Sequence, residues 1–119
     1  HTRAQRTDAW RSLMTRFGND VSWEGCEEAR DAAWQRQLHL FGMPFYYIEY
    51  GIAETGAIQM WIQSRRNQSQ ALANYRKGLA LGGSRPLPEL FATAGLRFEL
   101  SSSLMSELAR EVDKELVAR

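Results

Sequence analysis

Apolar residues recur along this chain mostly at intervals of three and four, the period of an amphipathic helix. No stretch alternates apolar and polar positions long enough to make a convincing strand, so the pattern predicts an all-α protein. Six helices are expected, over 2–17, 25–40, 44–66, 68–81, a short one begun by Pro88 and Glu89 and closed by Gly95, and 102–118. In the first, Trp10, Leu13, Met14 and Phe17 share a face, Thr2 and Gln5 have capping-box spacing, and Gly18 stands where a left-handed C-terminal cap belongs. Residues 19–25 read as a polar loop. The second helix carries Glu24, Glu27 and Glu28 at its positive end, and the small residues Ala29, Ala32 and Ala33 beside Trp34 and Leu38. Asn67 and Gln70 repeat the capping spacing before a helix with Leu72, Tyr75 and Leu79 on one face. Gly82 and Gly83 end it. Residues 96–100 are open to an extended conformation. Serines 101–103 offer a cap for the last helix, where Leu104, Leu108, Val112 and Leu116 recur every four residues.

The stretch 39–61, HLFGMPFYYIEYGIAETGAIQMW, organises the rest. Pro44 suits a first helical turn, where its missing N–H would have no partner and its φ is already helical. From Phe45 to Ile62 the only formal charges are Glu49 and Glu54, which predicts a long central helix, about 44–66, buried on most sides. Gly51 and Gly56 inside it, with Ala53 and Ala57, imply that another helix or a peptide backbone comes close, since each glycine costs roughly 1 kcal/mol relative to alanine. His39 and three tyrosines, Tyr46, Tyr47 and Tyr50, stand at its N-terminal mouth.

Composition narrows the classes. A chain of 119 residues is one domain at most, large enough for its own core. Fifteen Lys and Arg against fourteen Asp and Glu leave a formal net charge of +1 with no one-sided basic stripe, so nothing points to nucleic acid or a membrane surface. The apolar run at 44–62 approaches membrane-span length, but Glu49, Glu54, Gln59 and the tyrosines favour a core helix. The lone Cys26 excludes an intrachain disulfide and fits a reducing compartment, the cytoplasm. The sequence opens at His1 without a basic-then-apolar signal pattern and enters a helix almost at once, as expected of a piece cut from a larger protein or of a processed terminus.

Few residues can carry chemistry. With two histidines, His1 and His39, and no His-Glu-x-x-His pair or Cys/His cluster, no self-contained metal site is expected. Cys26 and the serines lack an elbow or a local base, and Leu-Gly-Gly-Ser-Arg-Pro at 81–86 lacks the glycine–lysine pair of a phosphate loop. His39, Tyr46, Tyr47 and Tyr50 remain. Imidazole and phenol hydroxyls are the groups that donate hydrogen bonds to a developing oxyanion. On a continuous helix Tyr46 and Tyr50, four apart, would share a face while Tyr47 points aside. The plainer reading is that the tyrosines pack their rings, each hydroxyl tied to a carbonyl, and that His39 caps a helix end.

The block at 39–61 closely resembles the C-terminal catalytic region of the oligoendopeptidase F family, zinc metallopeptidases of the thimet oligopeptidase kind that cleave short peptides. DVSWEGCEEARDAAWQRQLHLF at 20–41 and LALGGSRPLPELFATAGLRFE at 79–99 extend the resemblance over roughly 3–99. It implies zinc held on a His-Glu-x-x-His helix and a later glutamate, all upstream of this region and absent from this chain. It also implies that His39 and Tyr47 contact the peptide substrate. Tyr46 and Tyr50 then reach the tetrahedral intermediate while a zinc-bound water attacks. Many relatives carry an aromatic residue where Ile48 stands, and Gly42-Met43-Pro44 resembles a loop that flexes on substrate entry.

Two functions are therefore expected to compete. The first is the C-terminal part of a zinc oligoendopeptidase, inactive alone, whose partners are short peptides and a metal-binding N-terminal part. The second is a non-enzymatic helical interaction or dimerisation module. As a separated part, the chain would expose apolar surface and self-associate.

Overall fold

The computed structural model describes residues 1–18 and 20–118; of the expected polar loop at 19–25, Asn19 lies outside the described residues. Among the described residues the chain is all-helical, with seven α-helices and one 3-10 turn and no strand: α1 (Arg3–Phe17), α2 (Glu27–Ala32), the 3-10 turn Ala33–Arg36, α3 (Leu38–Gly42), α4 (Ile48–Arg66), α5 (Gln68–Ala80), α6 (Leu87–Thr93) and α7 (Ser102–Val117). Among these residues no helix is long and apolar enough to cross a membrane. The chain divides into two compact units, His1–Tyr47 and Ile48–Arg119.

In the first unit the capping box forms as expected. Gln5 N–H donates to Thr2 Oγ1 at 3.3 Å and Thr2 N–H to Gln5 Oε1 at 2.8 Å. Gly18 does not take the left-handed cap; it is extended at φ −69° and still bonds back to the Met14 carbonyl. The expected helix at 25–40 breaks into three pieces, and the break has a visible cause. The Trp10 indole donates to the Arg30 carbonyl at 3.0 Å, which also accepts the Ala33 N–H three residues on. A side-chain donor inserted at a helix end tightens the next turn to the 3-10 form. That tightening accompanies the inward turn of Trp34, the buried residue of this unit, whose indole donates to Thr7 Oγ1 and whose ring packs on Phe41. The apolar face predicted for α1 is only partly covered: Trp10 and Met14 are half-buried, whereas Leu13 and Phe17 stay exposed.

The second unit is built on α4, with α5 and α7 packed against it and α6 against α5. Its core joins Ile62 to Leu104 and Leu108, with Ile58, Trp61 and Met105 around them. Leu104 is fully buried in that cluster, and Ser101, one of the serines expected to cap α7, accepts the Leu104 N–H at 3.1 Å. Asn67 likewise caps α5, but Gln70 turns its side chain to Asn74 instead of completing a capping box. The predicted Leu72, Tyr75 and Leu79 face of α5 is exposed, and Ala71 on another face is buried. Gly95 closes the α6 region in the left-handed conformation, φ +70°, that glycine adopts without steric cost.

Two expectations about the central helix are corrected. It begins at Ile48, not at Pro44, because Phe45 takes φ +66°, a left-handed conformation that ends any α-helical path through a bulky residue. Met43, before the proline, is pushed to φ −141° and ψ 81° for the steric reason that bars the residue preceding proline from the helix. Burial along α4 is confined to Gly56, Gln59 and Ile62, and its first turn is exposed. Gly56 is where a neighbour comes close: a Cβ there would stand 3.1 Å from the Phe91 ring of α6.

Candidate functional site

The site predicted at the mouth of the central helix is assembled in the first unit by a succession of tight turns. Gln37, at φ −83° and ψ 84°, ends the 3-10 turn and starts α3, whose first turn carries His39. The Met43 N–H returns to the His39 carbonyl at 3.1 Å, and the Tyr46 N–H to the Met43 carbonyl at 3.1 Å. Between them Phe45, 96% exposed, holds its left-handed φ. Such a conformation costs about 1–3 kcal/mol and persists only where the surroundings impose it. Its result here is to fold the chain back so that residue 46 meets residue 39.

The rings then meet in two geometries. Tyr46 stacks on His39 with centroids 5.2 Å apart and planes 10° apart. Tyr47 meets the same imidazole edge-on, at 5.8 Å and 86°. The Tyr47 hydroxyl donates to Gln37 Oε1, which orients the phenol from a position ten residues earlier in the chain. His39 is half-buried, and Tyr46 and Tyr47 are 38% and 45% exposed. Face and edge contacts with an aromatic ring fix the orientation of the imidazole while leaving the polar rims of these rings near solvent. Chemically the cluster combines an imidazole and two phenols, group types that exchange hydrogen bonds with a carbonyl or an oxyanion; the single O–H of Tyr47 is donated to Gln37 in this structure.

Tyr50 stands apart in chain organisation. It lies in the first turn of α4, in the second unit, and is 48% exposed. Tyr46 precedes that helix, so the expectation that both share one helix face does not hold. His39, Tyr46 and Tyr47 are therefore the predicted residues brought together in one unit.

Sequence reasoning missed Gln37. A lone glutamine between two helical segments gives no signal of its own, and its contact with Tyr47 exists only because the intervening turns close. Gln59 was missed also. Buried in α4, it accepts the Arg97 N–H at 2.9 Å and donates to the Arg97 carbonyl at 3.0 Å, pairing both backbone groups of a residue outside the helices. Its signal was present as the one uncharged polar residue amid the apolar run of 56–62.

Among the described residues, no group of three or more His, Cys, Asp or Glu side chains could hold a metal ion. No family model, no curated protein and no solved structure matches the chain.

Proposed function

We propose that this chain is the C-terminal helical part of a zinc oligoendopeptidase resembling the oligoendopeptidase F family, acting on short peptides in the cytoplasm and inactive by itself. On this reading His39 and Tyr47 hold the peptide substrate. Tyr46 and Tyr50 present hydroxyls to the oxyanion that forms at the scissile carbonyl. The metal belongs to an upstream part that this chain meets as a partner. The observation that carries the proposal is the His39 cluster: an imidazole oriented by one stacked and one edge-on tyrosine, all three partly open to solvent. Rings that merely filled a core would be closed off. Preorganised donors of this kind raise rates because they need no reorientation when charge develops. On this reading the fuller burial first expected of α4 would be reached in the entire enzyme rather than in this chain alone.

The test is to express the complete reading frame that contains these residues, load it with zinc and assay fluorogenic short peptides. A His-Glu-x-x-His sequence upstream and hydrolysis lost on His39→Ala are expected. A complete frame without that motif, or hydrolysis indifferent to His39→Ala, overturns the proposal.

One observation favours a second reading, a non-enzymatic interaction or dimerisation module. Leu38, Phe41, Met43, Phe45 and Ile48 are all at least half exposed within a few residues of one another. A run of this kind ordinarily marks a surface that meets another chain. Concentration-dependent sedimentation that Phe45→Ser abolishes, in a protein with no peptidase frame, would select this reading.

A further inference from the structure

The central helix carries two glycines, and the fold uses only one of them. Gly56 admits the Phe91 ring, whereas a Cβ on Gly51 would meet nothing within 4 Å. Because glycine costs a helix roughly 1 kcal/mol relative to alanine, Gly51 has no internal contact to account for it. It opens instead onto a groove within the second unit. Gly51, Thr55 and Ile58 of α4 face Met105, Ala109 and Val112 of α7 across a concavity of about 530 Å³. A second concavity, of about 390 Å³, shares Ile58, Val112 and Leu116 with it and continues past Ala57. The lining is mostly apolar, and Gly51, Ala57 and Ala109 are its small residues, which leave room for a helix ridge to seat between two others.

Charge decides what kind of helix fits. The ionisable residues lining the two concavities are Glu54, Asp113 and Glu115, all acidic. Glu115 is held by Arg65 at 3.2 Å, whereas Glu54 and Asp113 are exposed and enter no ion pair among the described residues. An apolar trough edged by two uncompensated carboxylates repels acidic segments and complements basic ones.

We propose that the groove between α4 and α7 is a docking site for an amphipathic helix of a partner protein that carries Lys or Arg beside its apolar face. Its backbone approaches closest at Gly51, and its cations lie against Glu54 and Asp113. No residue of the His39 cluster takes part, so the inference stands apart from the peptidase proposal.

The probe is a synthetic, fluorescently labelled helical peptide with Leu and Ala on one face and Lys flanking it, paired with a version carrying Glu in place of Lys. Fluorescence anisotropy is expected to show saturable binding of the lysine peptide alone, weakened by added salt. Gly51→Leu, with helix content checked by circular dichroism, should weaken binding at least about tenfold by filling the groove. Glu54→Lys with Asp113→Lys should transfer the preference to the glutamate peptide, which a merely structural effect would not do. Absence of saturable binding, equal binding of both peptides, or indifference to Gly51→Leu overturns the proposal. Sedimentation revealing a dimer of this chain that Gly51→Leu dissociates would assign the groove to a second copy and overturn it equally.

Discussion

The imidazole of His39 lies against the face of Tyr46, ring planes 10° apart, although six residues, the left-handed Phe45 among them, separate the two in the chain. Aromatic contact and hydroxyl chemistry can be separated at this pair. On the peptidase reading proposed above, Tyr46→Phe in the complete reading frame keeps the stack and removes only the hydroxyl. It should lower kcat by about 100–1,000-fold with little change in KM, the size expected for one lost oxyanion donor. Tyr47→Phe releases Gln37 and, on the same reading, loses a contact to the peptide, so it should act mainly on KM. Steady-state kinetics on both variants, with near-ultraviolet circular dichroism as a fold control, checks the split; equal effects on both parameters would count against the roles assigned here.

Gln59 should matter for stability more than its place in an apolar run implies. Gln59→Leu leaves the N–H and carbonyl of Arg97 without their side-chain partner, at a cost of about 1–2 kcal/mol, since part of the loss is recovered from water. Urea unfolding of the variant, followed by far-ultraviolet circular dichroism, should show the midpoint fall.

The two glycines of α4 make a paired prediction. Gly51→Ala faces open space and should stabilise the chain by about 0.5–1 kcal/mol through helix propensity alone. Gly56→Ala presses a Cβ to 3.1 Å from Phe91, whose ring is braced edge-on by Phe98 at 5.2 Å, so it should give no gain and a net loss. Thermal melts of the two variants should move in opposite directions.

Acid should weaken the contact between α1 and α2. Arg11 hydrogen-bonds Asp31 at 2.8 Å and holds its carboxyl below the ordinary value of 3.8; Arg30 adds to the effect, and partial burial opposes it. A carboxyl with a depressed folded value contributes stability above the ordinary value and loses it as pH falls through the folded one. Asp31→Asn should therefore flatten the acid side of the stability profile below about pH 4 and leave the neutral side sloped as before. Tryptophan fluorescence against pH, which reports Trp10 and Trp34, is the measurement.

Local rules were read from the chain with success where the interaction is local. The Thr2–Gln5 box, the Asn67 and Ser101 caps, the stop at Gly95 and the Leu104–Leu108 stripe each depend on residues within a few positions of one another; the left-handed cap expected at Gly18 did not form. Their energetics are complete in a short window. The site was half legible in the same way: His39 and the tyrosines stood out by type and spacing, but Gln37 did not.

By itself, then, the sequence determined the all-helical class, most helix ends and the residue types of the candidate site. Tertiary structure decided where the second helix breaks, because the Trp10 indole competes for a carbonyl twenty residues away. It decided that the central helix starts at Ile48 rather than Pro44, because a proline compatible with a helix cannot reveal that the next residue is left-handed. It also decided which apolar face is covered: every face competes for the same few neighbours, and Ala71 is buried while Leu72 and Leu79 are left outside. Periodicity tells which residues would gain from burial, but only the packed arrangement supplies the surface that buries them.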